Sequence, residues 1–392
     1  MIKDKHIESW LKNKIITEAQ AKKMLADLTE HKQKTTSNKL ITIISTIGAL
    51  LLGIGAVLFI ASNWQVIPNI VKVAMLVGST FATYIVGYLF KYRLQNLPKV
   101  GEALLFLGTL LFGATIFIIA QMYHVNTNNH TLILLWFLGI LPFLYAFASR
   151  TITHLSAFLF FIWIGLFIFQ GLGFSNVNLM LLPLVYLVSS VLMFNYGSLH
   201  CFYSHFYLIG SVYRLWGINI GMMSLFFLSF KYFSAHADPT FFGFVLRDLA
   251  IQSHFTNLFI GSSVLAVIFA LILLWRNPSK SKSAYIESCV SIALIISAAL
   301  CFFILNVTNL YVLMFNALFV LLLMLIIAIG NNNKNMVAIN IAMFWTGAFI
   351  ITHYFDFFWD LLPRSLFFIA GGLVLVIGGI ILERKRRNLK LK

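Results

Sequence analysis

The chain has 392 residues, of which 60% are hydrophobic and only 10% charged, and its mean hydropathy is +0.91. A soluble chain of this length would divide into about two or three domains with charged surfaces and could not hide 39 phenylalanines, so the composition selects an integral membrane protein. The net charge of +16 does not point to a nucleic acid, because the basic residues are spread along the chain rather than gathered in one domain with interleaved aromatics.

In chain order, residues 1–39 come first. Ile7, Trp10 and Leu11 mark one helical stripe, and Ala21, Met24, Leu25 and Leu28 mark a second. Thr17 and Gln20 have the spacing of a capping box, which starts the second helix. The expected product is a cytoplasmic helical hairpin too small to hold a core alone, so it packs on the membrane surface, on the cytoplasmic loops or on a protein partner. A topology-setting lead-in and a partner-binding module both fit it.

Residues 40–382 then read as a polytopic, all-α transmembrane bundle. Runs of roughly 20 apolar residues cross a hydrocarbon core of about 30 Å. About twelve such runs occur, near 40–61, 70–90, 103–123, 131–148, 155–172, 179–195, 207–230, 258–275, 285–305, 310–329, 336–351 and 365–382. The fifth, sixth and eleventh are short, and the first is too long for a cleavable signal, so it is expected to act as an anchor. With the N-terminus inside, 23 of the 28 Lys and Arg fall on the cytoplasmic side, including six in the basic tail 383–392. Four fall outside, and Arg214 is left within a span. This asymmetry places both termini in the cytoplasm and favours anionic lipid at that face.

The polar ends of the spans supply the first candidate site. The third span ends in Gln121, Tyr123 and His124, and the first ends in Asn63 and Trp64, at the same outer level. Asn63, Gln121, Tyr123 and His124 read either as an outward-facing substrate site or as ordinary interfacial capping. Further external histidines (His130, His236, His254, His353) stand near Asp238, Asp248, Asp356 and Asp360, yet their spacing implies no metal site, and no cofactor is indicated. Cys201, Cys289 and Cys301 lack paired or ligand-like spacing and read as small apolar residues.

Arg214 is the sharpest single residue. It lies about eight residues, or roughly 12 Å, into the seventh span, where a charge is costly unless paired or snorkelling. Glu102 and Glu287, which begin the third and ninth spans on the same side, are the candidate partners for a structural ion pair. Snorkelling to lipid phosphate is the other reading.

The stretch "IGALLLGIGAVLFIASNWQVIP", with Trp10, Ile15, Ile16, Gly48, Gly53, Gly55, Asn63 and Trp64, resembles a family of bacterial multipass membrane proteins that carry a domain of unknown function. Gly108, Gly113, Gln121, Tyr123 and His124 belong to the same resemblance. The final span is similar through Arg364, Gly371, Gly372 and the basic cluster from Arg384 to Arg387. The resemblance implies a topology and a bacterial cytoplasmic membrane, and it brings no activity. The first and third spans also resemble each other, since Gly48 with Gly53 aligns to Gly108 with Gly113, which a tandem repeat would explain.

No His-Glu-x-x-His, Walker loop or nucleophile elbow is present, so nothing in the sequence demands an enzyme. Two classes follow: a transporter or flippase handling a small or amphipathic anion, with Arg214 as its contact, and a non-transporting scaffold acting through the N-terminal hairpin. A cavity reaching mid-membrane and lined by Arg214 and Asn195, Asn219, Asn316 or Asn340 would favour the first. A solidly packed bundle would favour the second. Twelve spans can make a complete bundle, so oligomerisation is not required.

Overall fold

The computed structural model describes residues 17–62, 67–124, 130–172, 181–230, 249–276, 282–303 and 308–358, with short pieces between 369 and 383. Trp10, Asn63, Trp64, the loop 231–248 and the basic tail lie outside the described residues, as do the side chains of 25–39. The helices are α1 Glu18–Ser62, α2 Asn69–Tyr88, α3 Pro98–Met122, α4 His130–Phe147, α5 Arg150–Leu172 and α6 Leu181–His200. They continue as α7 Tyr207–Leu228, α8 Leu249–Trp275, α9 Lys282–Phe303, α10 Thr308–Asn332 and α11 Met336–Phe358. Among the described residues there is no strand.

Among the described residues nine helices, α2 to α6 and α8 to α11, are long and apolar enough to cross a membrane, α2 counting together with the π-helical turn Leu89–Arg93 that extends it. The fifth, sixth and eleventh runs, short in the sequence, form helices of 23, 20 and 23 residues because polar termini extend them. Three expected spans stand apart. The first contributes the apolar stretch Leu40–Gly55 and the last the piece Gly371–Ile380. The seventh is a full 22-residue helix, α7, whose hydropathy is diluted by Arg214, Asn219 and three glycines.

The helix α1 starts at the anticipated capping box. Thr17 N–H donates to Gln20 Oε1 at 3.0 Å, and Gln20 N–H returns to Thr17 Oγ1 at 3.4 Å. It then runs 45 residues to Ser62 with no break at residue 39, so the second arm of the expected hairpin and the first span are one continuous rod.

The chain divides into two compact units, Met1–Leu144 and Tyr145–Lys392. In the first, α3 is the central helix and packs against both α1 and α2. Ala49 of α1 joins Ala103, Leu107 and Leu111 of α3 in one cluster. Gly87 and Gly101 let the backbones of α2 and α3 touch, since a Cβ on Gly101 would lie 2.8 Å from the Gly87 carbonyl. Gly108 and Gly113 of α3 instead receive the rings of Tyr84 and Trp136, and Trp136 Nε1–H donates to the Thr109 carbonyl at 2.9 Å. Gly48, its counterpart in the apparent repeat, meets nothing within 4 Å. The glycine spacing of the two spans is therefore shared while its packing use is not.

In the second unit α6 and α7 form the tightest pair. A Cβ on Gly197 would sit 2.7 Å from the Gly210 carbonyl and 2.8 Å from Arg214 N, and one on Gly210 would sit 2.5 Å from the Gly197 carbonyl. Gly217 and Gly221 continue this face of α7, against Phe194 and Ser190 of α6. At helical periodicity Gly210, Arg214, Gly217 and Gly221 share one side, so the small residues bring α6 close enough for Arg214 to lie along it.

Candidate functional site

The second unit carries a half-open cavity of about 820 Å³, within the roughly 300–1,000 Å³ typical of ligand pockets. One end is formed by helix termini: Arg150 at the start of α5, Tyr207 at the start of α7, Glu287 near the start of α9, and Asn333 and Asn335 in the turn between α10 and α11. From Tyr207 to Gly221 the α7 residues of its lining extend over fourteen residues or about 21 Å of helix, about two-thirds of the thickness of a 30 Å hydrocarbon core. The far wall is apolar, built from Leu294 of α9 and Leu322, Leu325, Ile326 and Ile329 of α10.

Arg214 stands at the boundary of the polar end and the apolar wall. Its Nη2–H donates to Glu287 Oε1 at 2.9 Å, and its guanidinium lies 4.9 Å from the centre of the Phe194 ring. This is a single-point contact rather than the two-pronged Arg–carboxylate fork, so most of the five guanidinium N–H groups remain for other acceptors. The side chains retain 32% and 15% of their exposure, which places the pair on the cavity wall rather than in sealed packing. Arg214 and Glu287 also line a second, smaller cavity of about 130 Å³ with Asn195, Ser198 and Ser288.

Two further cavity residues were not singled out by sequence reasoning. Arg150 and His154 sit one turn apart on α5 and face the same space. Trp216 Nε1–H, which can only donate, points to His154 Nδ1 at 2.9 Å, so in the neutral ring the proton is fixed on Nε2. The i, i+4 spacing of Arg150 and His154 at the head of an apolar helix was the available signal. The serines of the lining add little donor capacity. Ser190 and Ser211 give their hydroxyl protons to carbonyls of their own helices, and Ser291 gives its own to Asn195 Oδ1 or to the Glu287 carbonyl. The charged donors of the lining are therefore the two arginines, with His154, Tyr207 and the amides of Asn333 and Asn335 as neutral ones.

The other candidates take different places. Glu102 is engaged by Lys91 within the first unit, which clasps the end of α2 to the start of α3. Gln121, Tyr123 and His124 form the C-terminal end of α3. His124 adopts φ 56°, the left-handed turn that ends a helix, and its N–H donates to the Gln121 carbonyl at 3.1 Å, while Tyr123 is 72% exposed. These three do not line either cavity, and Asn63 lies outside the described residues.

The intramembrane asparagines are chiefly helix ties. Asn195 donates to the Ala266 carbonyl at 3.0 Å, accepts from Ser291 and borders the smaller of the two cavities. Asn316 donates to the Ser229 carbonyl at 2.8 Å, and Asn219 bonds its own helix and Trp345. His353 is hydrogen-bonded to Ser229 at 3.0 Å and stacked on Phe230. Among the described residues no three His, Cys, Asp or Glu side chains converge as a metal site.

Cys201, in the turn after α6, borders both cavities. Burial pushes its thiol up from the ordinary range, and the nearby Arg214 partly offsets this.

Residues 8–153 match the model of a family described as "Predicted membrane protein (DUF2157)". The match takes in the N-terminal tryptophan, the glycine-rich first span and the Gln121 to His124 segment, and it ends within the first turn of α5. No curated protein and no solved structure matches the chain. Over residues 8–153, less than half of its length, the chain is thus similar to a family of predicted membrane proteins whose domain has no known function.

Proposed function

We propose that the protein is a transporter or flippase that handles an amphipathic anion through the cavity of its second unit. The observation that carries this reading is the cavity itself: about 820 Å³, with Arg150, His154 and Arg214 at one end and an aliphatic wall beyond them. A charged group and an alkyl chain would each find a matching environment there, and an arginine at that depth is retained where it serves an anion or a pathway. The lysine and arginine distribution supports about twelve spans with both termini on the cytoplasmic side, with the basic end of the cavity then at the cytoplasmic face, and the family resemblance suggests a bacterial cytoplasmic membrane.

Proteoliposomes containing a fluorescent phosphatidylglycerol or phosphatidylcholine test it through dithionite quenching. Faster exchange of the anionic lipid than in empty vesicles, lost in Arg214→Leu, is expected. Exchange equal to that of empty vesicles for both lipids would refute flipping. A second reading, a scaffold, is favoured by α1, whose uninterrupted 45 residues extend about 68 Å, roughly twice a hydrocarbon core. That length carries the helix well past the membrane surface, where a partner could dock.

A further inference from the structure

The pairing of Arg214 with Glu287 is too economical to be only a structural tie. Glu287 accepts one hydrogen bond from Arg214, in a cavity whose other charged residues, Arg150 and Arg214 itself, are cationic. The Glu287 carboxylate thus sits where an incoming anion would bind, at the meeting point of the polar end and the apolar wall. On its other side lies the smaller cavity of about 130 Å³, lined by Asn195, Ser198 and Ser288 together with Phe194, Phe202 and Leu273. At about 30 Å³ per water, that volume has room for a displaced carboxylate with a few waters of hydration, which would supply the donors that the serines, bonded to their own helices, do not. The Glu287 side chain thus has space on either side: on Arg214, or in this recess with its waters.

We infer that Glu287 is a built-in competitor for the substrate anion, and that the site selects an amphiphile with a phosphate-like oxyanion head. The inference rests on the anion-handling function proposed above and adds to it the head, the tail and the residue that sets selectivity. In the bound state the oxyanion takes the guanidinium of Arg214, with Arg150 and the Nε2–H of His154 as further donors from α5. Trp216 holds His154 in the tautomer that presents that proton. The chain lies along Leu294, Leu322, Leu325 and Ile326, where α9 and α10 pack only sparsely against each other.

The competitor explains selectivity in both directions. A weak or small anion gains too little from Arg214 to displace a covalently tethered carboxylate, which is present at high effective concentration. An amphiphile adds the burial of its chain, at about 25 cal/mol per Å² of apolar surface, and so outcompetes it. A cationic amphiphile meets Arg150 and Arg214 and is repelled.

The test is binding of decyl phosphate, decyltrimethylammonium and inorganic phosphate to the full-length protein in nanodiscs, with empty nanodiscs as the blank. Wild type should bind decyl phosphate, bind inorganic phosphate at least tenfold more weakly, and show no binding of the cation. Glu287→Gln retains a hydrogen-bond acceptor for Arg214 and should bind decyl phosphate about tenfold more tightly, and inorganic phosphate measurably, because the neutral amide competes poorly. Glu287→Asp, shorter but still charged, serves as the second variant and should raise affinity less. Unchanged or weaker decyl phosphate binding in Glu287→Gln, while wild type binds, overturns the competitor and leaves the anion site standing. Equal affinity for inorganic phosphate and decyl phosphate overturns the amphiphile. Absence of any anion binding to wild type overturns both this inference and the proposed function.

Discussion

The two units build close helix contacts from glycine alike and differ in what those contacts carry. In the first, Gly87 and Gly101 bring α2 and α3 into backbone contact, and the ion pair of Lys91 with Glu102 sits where α2 and α3 end and begin. In the second, glycines bring α6 and α7 into backbone contact, and the ion pair faces a cavity. The first unit holds nearly all of the segment that matches the family, whereas the cavity is lined by residues 150 to 341. A segment that is recognisable as sequence is thus not where the chemistry gathers.

The contrast is most sharply tested at the α6–α7 contact. Gly197→Ala or Gly210→Ala forces two backbones apart and should cost about 1–3 kcal/mol, read as lost folded yield and a lower melting temperature in detergent. Gly48→Ala in the first unit meets open space and should change neither.

Next in size is the charge on the cavity wall. Arg214→Leu strands the Glu287 carboxylate, and because the pair retains access to the cavity the cost should be about 2 kcal/mol rather than that of a sealed ion pair. The double variant Arg214→Leu with Glu287→Leu should recover most of that stability while binding no anion. Additive losses would contradict a pair. Lys91→Met should cost about 1 kcal/mol or less and leave decyl phosphate binding untouched.

A smaller effect is expected at Trp216. Trp216→Phe keeps the ring stacked on Phe161 but removes the donor to His154, so both histidine tautomers become accessible. A loss of roughly threefold in decyl phosphate affinity, with stability lowered by about 1 kcal/mol or less, should follow.

The smallest effect concerns Cys201, followed by alkylation in a Cys289→Ser, Cys301→Ala background. Its raised pKa leaves less thiolate at neutral pH than an ordinary thiol near 8.5 has, so labelling should be slow at pH 7 and accelerate as pH rises beyond that range. Arg214→Leu removes the compensating positive charge and should slow it further. Decyl phosphate should protect it.

Much of the fold was legible because hydropathy records burial in lipid directly: runs such as 103–123 and 310–329 became α3 and α10 within a few residues. The capping box at Thr17 was legible because it is local. The continuity of α1 through residue 39 was less so, since a polar, lysine-bearing segment reads as a boundary even where the helix runs on. Arg214 stood out as a charge where none is expected, and Glu287 was named with Glu102 as its candidate partner. Sequence alone could not choose between them, because that choice depends on which helices meet. His154 and Arg150 were passed over for the same reason: a histidine four residues into an apolar helix gains meaning only from the cavity it faces. The outward set Gln121, Tyr123 and His124 stood out by contrast with its greasy neighbours, a contrast that the end of a helix produces by itself.

The central claim is that the second unit holds an anion site at Arg214. Electron cryo-microscopy of the protein in nanodiscs with decyl phosphate tests it most directly. Elongated density is expected in the cavity, with its head about 3 Å from the Arg214 guanidinium and Glu287 turned toward Asn195 and Ser288. A cavity closed by side-chain packing, or an Arg214 still bonded to Glu287 beside empty space at saturating ligand, would contradict it.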